Sequence, residues 1–125
     1  MSRSRFLASF GFAWQGLAHA FRSQRNFRVH SAIALGAVVV GLVVGLDAVR
    51  WAVIALTIGL VFSAELVNTA LEAAVDLASE DTKPLAKVAK DVAAGAVLVA
   101  ALSAVVVGAL VLGPPLWCAL GRILR

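Results

Sequence analysis

Four polar side chains share one face of an otherwise apolar stretch, residues 64–76 (AELVNTALEAAVD). On a helix that turns 100° per residue, Glu65, Asn68, Glu72 and Asp76 fall within an arc of about 80°. Ionisable groups at membrane depth are costly, and they are retained where they face the interior of a helix bundle or a wet cavity. The spacing therefore predicts a polar site on one face of a membrane helix.

A second polar set, Lys87, Lys90 and Asp91, shares one face of the next predicted helix. Carboxylates that cannot all ionise comfortably in a low-dielectric site favour a divalent cation, and hard oxygen ligands favour Mg²⁺. A lysine nearby indicates a phosphate group. Phosphoryl transfer needs little more than a metal and a cation to neutralise the phosphates, and a carboxylate to accept the proton of an attacking hydroxyl.

Two other interpretations of the same residues stay open on spacing alone. In the first, the two polar sets form salt bridges between the helices of a small structural bundle. In the second, they line a proton or ion pathway through the membrane. Both interpretations explain charged groups inside an apolar helix, so the choice needs further observations.

The composition indicates a membrane protein of one domain, residues 1–125. Apolar residues make up 62% of the chain, the mean hydropathy is +0.96, and 14% of the residues are charged, which is too apolar for an ordinary soluble fold. A single cysteine, Cys118, excludes an internal disulfide, and neither it nor His19 and His30 has metal-ligand spacing. The pI is about 10.2, but the basic residues flank apolar segments, which argues against nucleic-acid binding.

The first 22 residues are predicted to form an amphipathic helix that lies in the membrane surface. An early basic pair, an apolar run and Ala18-His19-Ala20 imitate a secretory signal peptide. However, apolar and polar side chains separate onto two faces of a helix, which favours the surface helix. Phe12 points toward the polar side. The apolar face consists of Phe6, Phe10, Trp14, Leu17 and Phe21.

Three apolar segments long enough to cross a bilayer follow, at residues 29–46, 51–78 and 86–112. The connection between the first two is so short that these spans must be antiparallel, and a polar connection (SEDTKP, 79–84) precedes the third. Gly113-Pro114-Pro115 is predicted to end the third span. The expected fold is an all-α membrane protein with an amphipathic surface helix and three transmembrane helices.

Basic residues near the ends of the spans predict the orientation in the membrane. The segment before the first span has five arginines and no acidic residue, and Lys83, Lys87 and Lys90 lie near the start of the third. Arg50 and two arginines after the third span oppose this bias weakly. We therefore expect a multi-pass protein of the inner (cytoplasmic) membrane, with its amino terminus and both polar sets on the cytoplasmic side.

Several segments also resemble those of one known family over nearly the whole chain, in the same order and with three spans. The strongest are 65–76 (ELVNTALEAAVD) and 89–98 (AKDVAAGAVL). Upstream, the resemblance extends through Gly11, Trp14, Gly16-Leu17 and an Asn-x-Arg-x-His run at 26–30 (NFRVH). These segments are similar to those of the prokaryotic diacylglycerol kinase family, which includes undecaprenol kinases.

The resemblance implies a homotrimer of three-span subunits that phosphorylates a membrane lipid hydroxyl with ATP and Mg²⁺. By position, it implies that Glu65 is the general base, that Asn68 is its orienting neighbour and that Glu72 holds the metal. Lys87 lies outside the family pattern and is expected to anchor its helix at the interface. The nucleotide-binding positions of the family correspond to Arg5, Asp76, Lys90 and Asp91.

Two positions depart from the family pattern. Gln24 stands where a second metal-binding glutamate is usual, and its carbonyl can ligate Mg²⁺ without supplying a negative charge. Phe12 stands where a tyrosine often contacts the nucleotide, and it can stack but cannot donate a hydrogen bond. The sequence therefore predicts a lipid kinase, with undecaprenol slightly favoured over diacylglycerol by the Asn-x-Arg-x-His run. The alternative is a non-catalytic membrane assembly protein derived from the kinase, and Gln24 is its best argument.

Overall fold

The computed structural model of the chain describes residues 3–79 and 83–124, and these residues form four helices connected in sequence. The predicted all-α class is confirmed, and three of the helices are long and apolar enough to cross a membrane. In chain order the helices are α1 (Arg3–Ser23), α2 (Arg25–Val44), α3 (Ala48–Ala78) and α4 (Pro84–Ile123).

Helix α1 ends at a break that the first turns of α2 hold in place. The Gln24 backbone N–H still donates to the Ala20 carbonyl oxygen at 2.8 Å, but Gln24 itself has extended dihedral angles and does not continue the helix. The Arg28 Nη1 atom donates to the carbonyl oxygens of Phe21 (3.2 Å) and Arg22 (2.9 Å). Because the last carbonyls of a helix have no partner in the helix itself, Arg28 caps α1 and fixes it against α2.

The apolar side chains of α1 lie on the surface of the chain. Phe6 and Phe10 pack edge to face, with their ring centroids 5.2 Å apart. Trp14 is 72% exposed, whereas Leu17, the least exposed of the predicted apolar face, is 37% exposed. A helix with this much uncovered aromatic surface is suited to the membrane interface.

The connection from α2 to α3 is a tight turn, in which Gly41 and Gly45 have different structural roles. The G-x-x-x-G spacing of Gly41 and Gly45 predicts close helix packing. That prediction is confirmed for Gly41, where a Cβ atom would lie 2.8 Å from the Trp51 ring. Gly45 instead ends α2 in the left-handed conformation (φ 70°), and its N–H donates to the Gly41 carbonyl oxygen. A glycine is favoured there because a side chain at positive φ is strained.

Asp47 caps the start of α3 and should make stability depend on pH. The Arg50 backbone N–H donates to the Asp47 carboxylate at 3.0 Å, and this bond holds the pKa of Asp47 below its ordinary value. Because the folded pKa is the lower one, the stabilisation is complete above the unfolded pKa of about 3.9 and is lost as pH falls through the folded value.

We therefore expect wild type to lose thermal stability on acidification faster than an Asp47→Asn variant. Asparagine keeps a capping oxygen but does not titrate. The measurement is the unfolding temperature in detergent from neutral pH down to about pH 3, a range that covers the titration of an aspartate. Parallel curves for the two proteins would contradict the prediction.

Helix α4 does not end at Gly113-Pro114-Pro115, so the prediction that these residues stop the helix is wrong. The helix continues through both prolines to Ile123. Each proline removes one hydrogen bond and crowds the preceding turn, but a membrane helix tolerates proline where neighbouring groups satisfy the freed backbone. With 40 residues, α4 is about 60 Å long, so it extends beyond the bilayer on at least one side.

The three long helices alternate in direction, which brings the polar residues to one end of the bundle. The start of α2, the end of α3 and the start of α4 meet there. The most extensive helix contact is between α3 and α4, and Phe27 of α2 packs on Phe62 of α3 with ring centroids 5.0 Å apart. The polar face of α3 lies between α2 and α4, because Glu65 contacts His30 of α2 and Asp76 binds Lys90 of α4.

Candidate active site

The polar face of α3 changes from buried to exposed along the helix. Glu65 is only 3% exposed, and it is the one polar residue in the buried core of the described chain. Asn68 and Glu72 are half-buried, whereas the Asp76 side chain is 53% exposed. The four residues therefore connect the interior of the bundle with its polar end, where a water-soluble molecule has access.

His30 of α2 contacts the buried Glu65, a contact that was not predicted from the sequence. Its Nε2 atom lies 3.2 Å from Glu65 Oε1. The N–H direction does not meet hydrogen-bond geometry, and Glu65 Oε1 has no other partner among the described residues. The signal was present in the Asn-x-Arg-x-His run, but His30 and Glu65 lie 35 positions apart along the chain.

Asn68 hydrogen-bonds to Glu72 one turn away and not to Glu65. Its Nδ2 atom donates to Glu72 Oε1 at 3.0 Å. The Asn68 Oδ1 atom is buried and has no hydrogen-bond partner within the described ranges. Two buried oxygens, Glu65 Oε1 and Asn68 Oδ1, are thus left without a donor. Such atoms are rare in folded proteins and indicate that a ligand or solvent completes the site.

One ion pair joins the two predicted polar sets. Lys90 Nζ of α4 binds Asp76 Oδ1 of α3, which confirms that these sets face each other at this position. Asp91 instead binds Lys87 on its own helix, at 2.5 Å, and both of these side chains are mostly exposed. Lys87 thus contacts a predicted nucleotide-binding residue, although it lies outside the family pattern.

Three predicted site residues lie on or beside α1, and no described contact joins them to the polar end of α3. Gln24 is half-buried at the break between α1 and α2, and its side chain makes no capping hydrogen bond. Phe12 is 69% exposed. Arg5 belongs to α1, but its side chain lies outside the described residues.

No preformed metal cluster exists among the described residues. Nowhere in those ranges do three or more His, Cys, Asp or Glu side chains come close enough to hold an ion. Magnesium sites in phosphotransferases commonly use one or two protein carboxylates and complete the shell with water and substrate phosphates. The half-buried Glu72 carboxylate is compatible with such a partial site.

An apolar cavity of about 390 Å³ lies beside this site, between α2, α3 and α4. It extends from His30 and Phe62 toward Leu116, away from the polar end of the bundle. His30 and Thr57 are the polar side chains that line it, and the Thr57 hydroxyl donates to the Val53 carbonyl oxygen at 2.8 Å. His30 is therefore the lining residue that connects the cavity with Glu65.

Comparison with known proteins identifies relatives along most of the chain. The model of the prokaryotic diacylglycerol kinase family matches residues 11–112. A diacylglycerol kinase of Synechocystis is 50% identical over 111 residues, 88% of this chain but only 63% of that protein, which is less than two thirds of its length. An undecaprenol kinase of Bacillus subtilis is 44% identical over 113 residues, 90% of this chain and 92% of that protein.

A third relative is less similar but still matches most of the chain. A diacylglycerol kinase of Escherichia coli K12 is 32% identical over 103 residues, 82% of this chain and 84% of that protein. The family match includes α2, α3 and the part of α4 that lies beside the site, and with them every described polar contact between helices. The chain therefore belongs to the prokaryotic diacylglycerol kinase family.

Proposed function

We propose that the protein is an integral-membrane lipid kinase, which transfers the γ-phosphate of ATP, bound with Mg²⁺, to a hydroxyl group of a membrane lipid. One observation carries the proposal: the buried Glu65 carboxylate has an oxygen without a hydrogen-bond donor and lies beside a histidine that lines an apolar cavity. A structural salt bridge has no need of such a cavity. A general base for a lipid hydroxyl needs both a carboxylate oxygen that is free to accept a proton and an apolar cavity nearby for the lipid.

In the proposed reaction, Glu65 accepts the proton of the lipid hydroxyl while the hydroxyl oxygen bonds to the γ-phosphorus. The bond between the γ-phosphorus and its bridging oxygen breaks, and that oxygen leaves with the electron pair as part of ADP. Asn68 lies one turn from Glu65 as its proposed orienting neighbour, and its unpartnered Oδ1 is available to accept a hydrogen bond from the protonated Glu65 carboxyl. The products are a phosphorylated lipid, ADP and protonated Glu65.

The nucleotide is proposed to bind at the exposed end of the same face. Lys90 would contact the phosphates, with Asp76 and Asp91 beside it. The ion pair between Lys90 and Asp76 supports this because it holds a cation against the end of the polar face of α3. From α1, Arg5 and Phe12 would reach the nucleotide, Phe12 by stacking.

Glu72 and Gln24 are proposed to hold Mg²⁺ together with the phosphates of ATP. Glu72 offers a carboxylate, and Gln24 offers a neutral carbonyl, so the site would depend on the nucleotide for most of its charge. When bound, Mg²⁺ neutralises the phosphate charge that develops during transfer. The hydrogen bond from Asn68 to Glu72 keeps the carboxylate oriented before the metal and nucleotide arrive.

The orientation and assembly follow from the same proposal. The polar end of the bundle would face the cytoplasm, where ATP is available, and the basic residues near that end agree with this direction. The protein would be a homotrimer in the inner membrane. Large apolar side chains exposed along all three long helices, such as Val43, Leu56 and Val105, are suited to contact either lipid or neighbouring subunits.

Undecaprenol and diacylglycerol are the two candidate substrates, with undecaprenol proposed as the preferred one. The Asn-x-Arg-x-His run supports undecaprenol, and so does the Bacillus subtilis undecaprenol kinase, which this chain matches over nearly its full length. The 50% identity to a diacylglycerol kinase supports the other lipid. The cavity is apolar and suits a hydrocarbon segment of either lipid.

A direct assay with both lipids tests the proposal. The purified protein is incubated in lipid nanodiscs with Mg²⁺ and γ-labelled ATP, and undecaprenol and dioleoylglycerol are compared side by side. We expect label in the lipid fraction, with a higher kcat/KM for undecaprenol. If wild type labels neither lipid above a protein-free control, the kinase proposal is wrong.

A Gln24→Glu variant separates a kinase with a weakened metal site from the alternative, a non-catalytic assembly protein. For a kinase, the added carboxylate should lower the Mg²⁺ concentration needed for half-maximal activity, because an anionic ligand binds Mg²⁺ more tightly than an amide. The readout is lipid phosphorylation during a Mg²⁺ titration. Gln15→Glu makes the same chemical change on exposed α1 and should not shift the titration. If neither wild type nor Gln24→Glu phosphorylates a lipid, the assembly role is favoured.

A further inference from the structure

His30 is the residue through which the apolar cavity meets the buried carboxylate. It projects from α2, and its side chain is 21% exposed, while the Glu65 side chain is 3% exposed. On the cavity side it lies among apolar residues of three helices. On the other side, its Nε2 atom lies 3.2 Å from Glu65 Oε1.

No other described side chain competes for that carboxylate oxygen. Asn68 donates to Glu72, Lys90 binds Asp76, and Lys87 binds Asp91. Glu65 Oε1 has no hydrogen-bond partner among the described residues, and the imidazole of His30 lies within ion-pair distance of it. A carboxyl group turns easily about its last torsion, so an unheld carboxylate samples many orientations. A donor from a different helix restricts that rotation.

The imidazole is close to the carboxylate but not yet aligned with it. Catalytic hydrogen bonds are often long or poorly aligned before substrate binds, and they tighten in the reactive complex. Here the tightening needs only a small rotation of the imidazole or of the carboxylate, because the heavy atoms are already within reach. A lipid chain in the cavity would contact the other side of the imidazole and favour the aligned position.

We propose that His30 is a positioning residue for lipid phosphorylation, holding Glu65 through Oε1 beside the cavity that His30 lines, so that the other carboxylate oxygen faces the entering lipid hydroxyl. The inference rests on the proposed kinase function and extends it to a residue of α2. It gives the histidine of the Asn-x-Arg-x-His run the role of orienting the base that accepts the proton. In this role His30 acts through Glu65, and it neither binds ATP nor takes the proton first.

Two substitutions at His30 separate positioning from packing. His30→Leu fills a similar space without a donor, and we expect kcat to fall about 10²-fold, the size of effect that follows misplacement of a reacting group by about 1 Å. The KM for ATP should stay close to wild type. His30→Gln brings an amide nitrogen near the position of Nε2 and should recover most of the lost kcat. His19→Leu and His19→Gln, on exposed α1, serve as matched controls and should behave as wild type.

A thermal double-mutant cycle tests the contact without using activity. Unfolding temperatures are measured for wild type, His30→Leu, Glu65→Leu and the double variant, with helicity by circular dichroism to verify folding. If His30 holds Glu65, the change in unfolding temperature of the double variant differs from the sum of the changes in the two single variants. Additive shifts overturn the inference, and so does a His30→Leu enzyme with wild-type kcat or a His30→Gln enzyme no better than His30→Leu. Coupled shifts in a protein that labels no lipid would instead reject the proposed function and leave the His30 contact standing.

Discussion

Glu65→Gln should reduce lipid phosphorylation by about 10²- to 10⁴-fold, the contribution expected of a general base. Glutamine keeps the size of the side chain but cannot accept the proton of the lipid hydroxyl. Because Glu65 is the one buried carboxylate of the described residues and no carboxylate lines the cavity, water or a neighbouring residue is poorly placed to substitute. The fall should appear in kcat, with the KM for ATP little changed, in the labelled-lipid assay.

The matched control for this change is Asp47→Asn. It makes the same replacement of a carboxylate by an amide, but at the opposite end of the bundle, where Asp47 caps α3. Its activity at neutral pH should equal that of wild type. A Glu65→Gln enzyme that retains wild-type kcat would remove Glu65 from the proposed role and, with it, the main support for the mechanism.

Lys90→Met should lower kcat/KM for ATP by about 10²- to 10³-fold, the loss typical when one group that stabilises transition-state charge is removed. Methionine retains most of the length of the side chain and removes its charge. The change also leaves Asp76 without the cation that it binds across the helices, so carboxylate repulsion toward the phosphates increases. The measurement is the initial rate of lipid phosphorylation at varied ATP concentration, with lipid held saturating.

Lys83→Met is the control for the second prediction. Lys83 is exposed immediately before α4, so its loss removes one positive charge from the same end of the protein without touching the Lys90–Asp76 pair. We expect a kcat/KM close to wild type. If the two lysine variants lose activity equally, the effect belongs to the overall charge of this end, and Lys90 has no specific role at the phosphates.

The helical architecture was predictable because its causes are local. A helix satisfies its own backbone hydrogen bonds, and long apolar segments between polar connections are found by composition alone. The polar face of α3 was equally visible, since the 3.6-residue period fixes which side chains share a face. The end of α4 was predicted wrongly because two prolines do not decide whether a helix ends or bends. That outcome depends on what surrounds the backbone.

The partners of the polar groups were harder to predict. Asn68 lies one turn from both Glu65 and Glu72, and periodicity alone does not choose between them, whereas the structure pairs it with Glu72. Asp91 and Lys90 are adjacent on α4, yet only Lys90 reaches α3. Which of two neighbouring side chains faces another helix depends on how each helix is rotated about its own axis, and that rotation is set by packing along the whole contact.

The sequence by itself determined the membrane class, the number of long apolar helices, the polar face from Glu65 to Asp76 and the resemblance to the kinase family. The tertiary structure alone decided that His30 reaches Glu65, that Lys90 binds Asp76 and that His30 also lines an apolar cavity. The physical reason is the separation along the chain of the residues involved. Hydropathy and helical period depend on a few neighbouring residues, whereas the partner of a buried carboxylate and the nearby cavity are formed by helices far apart in the chain.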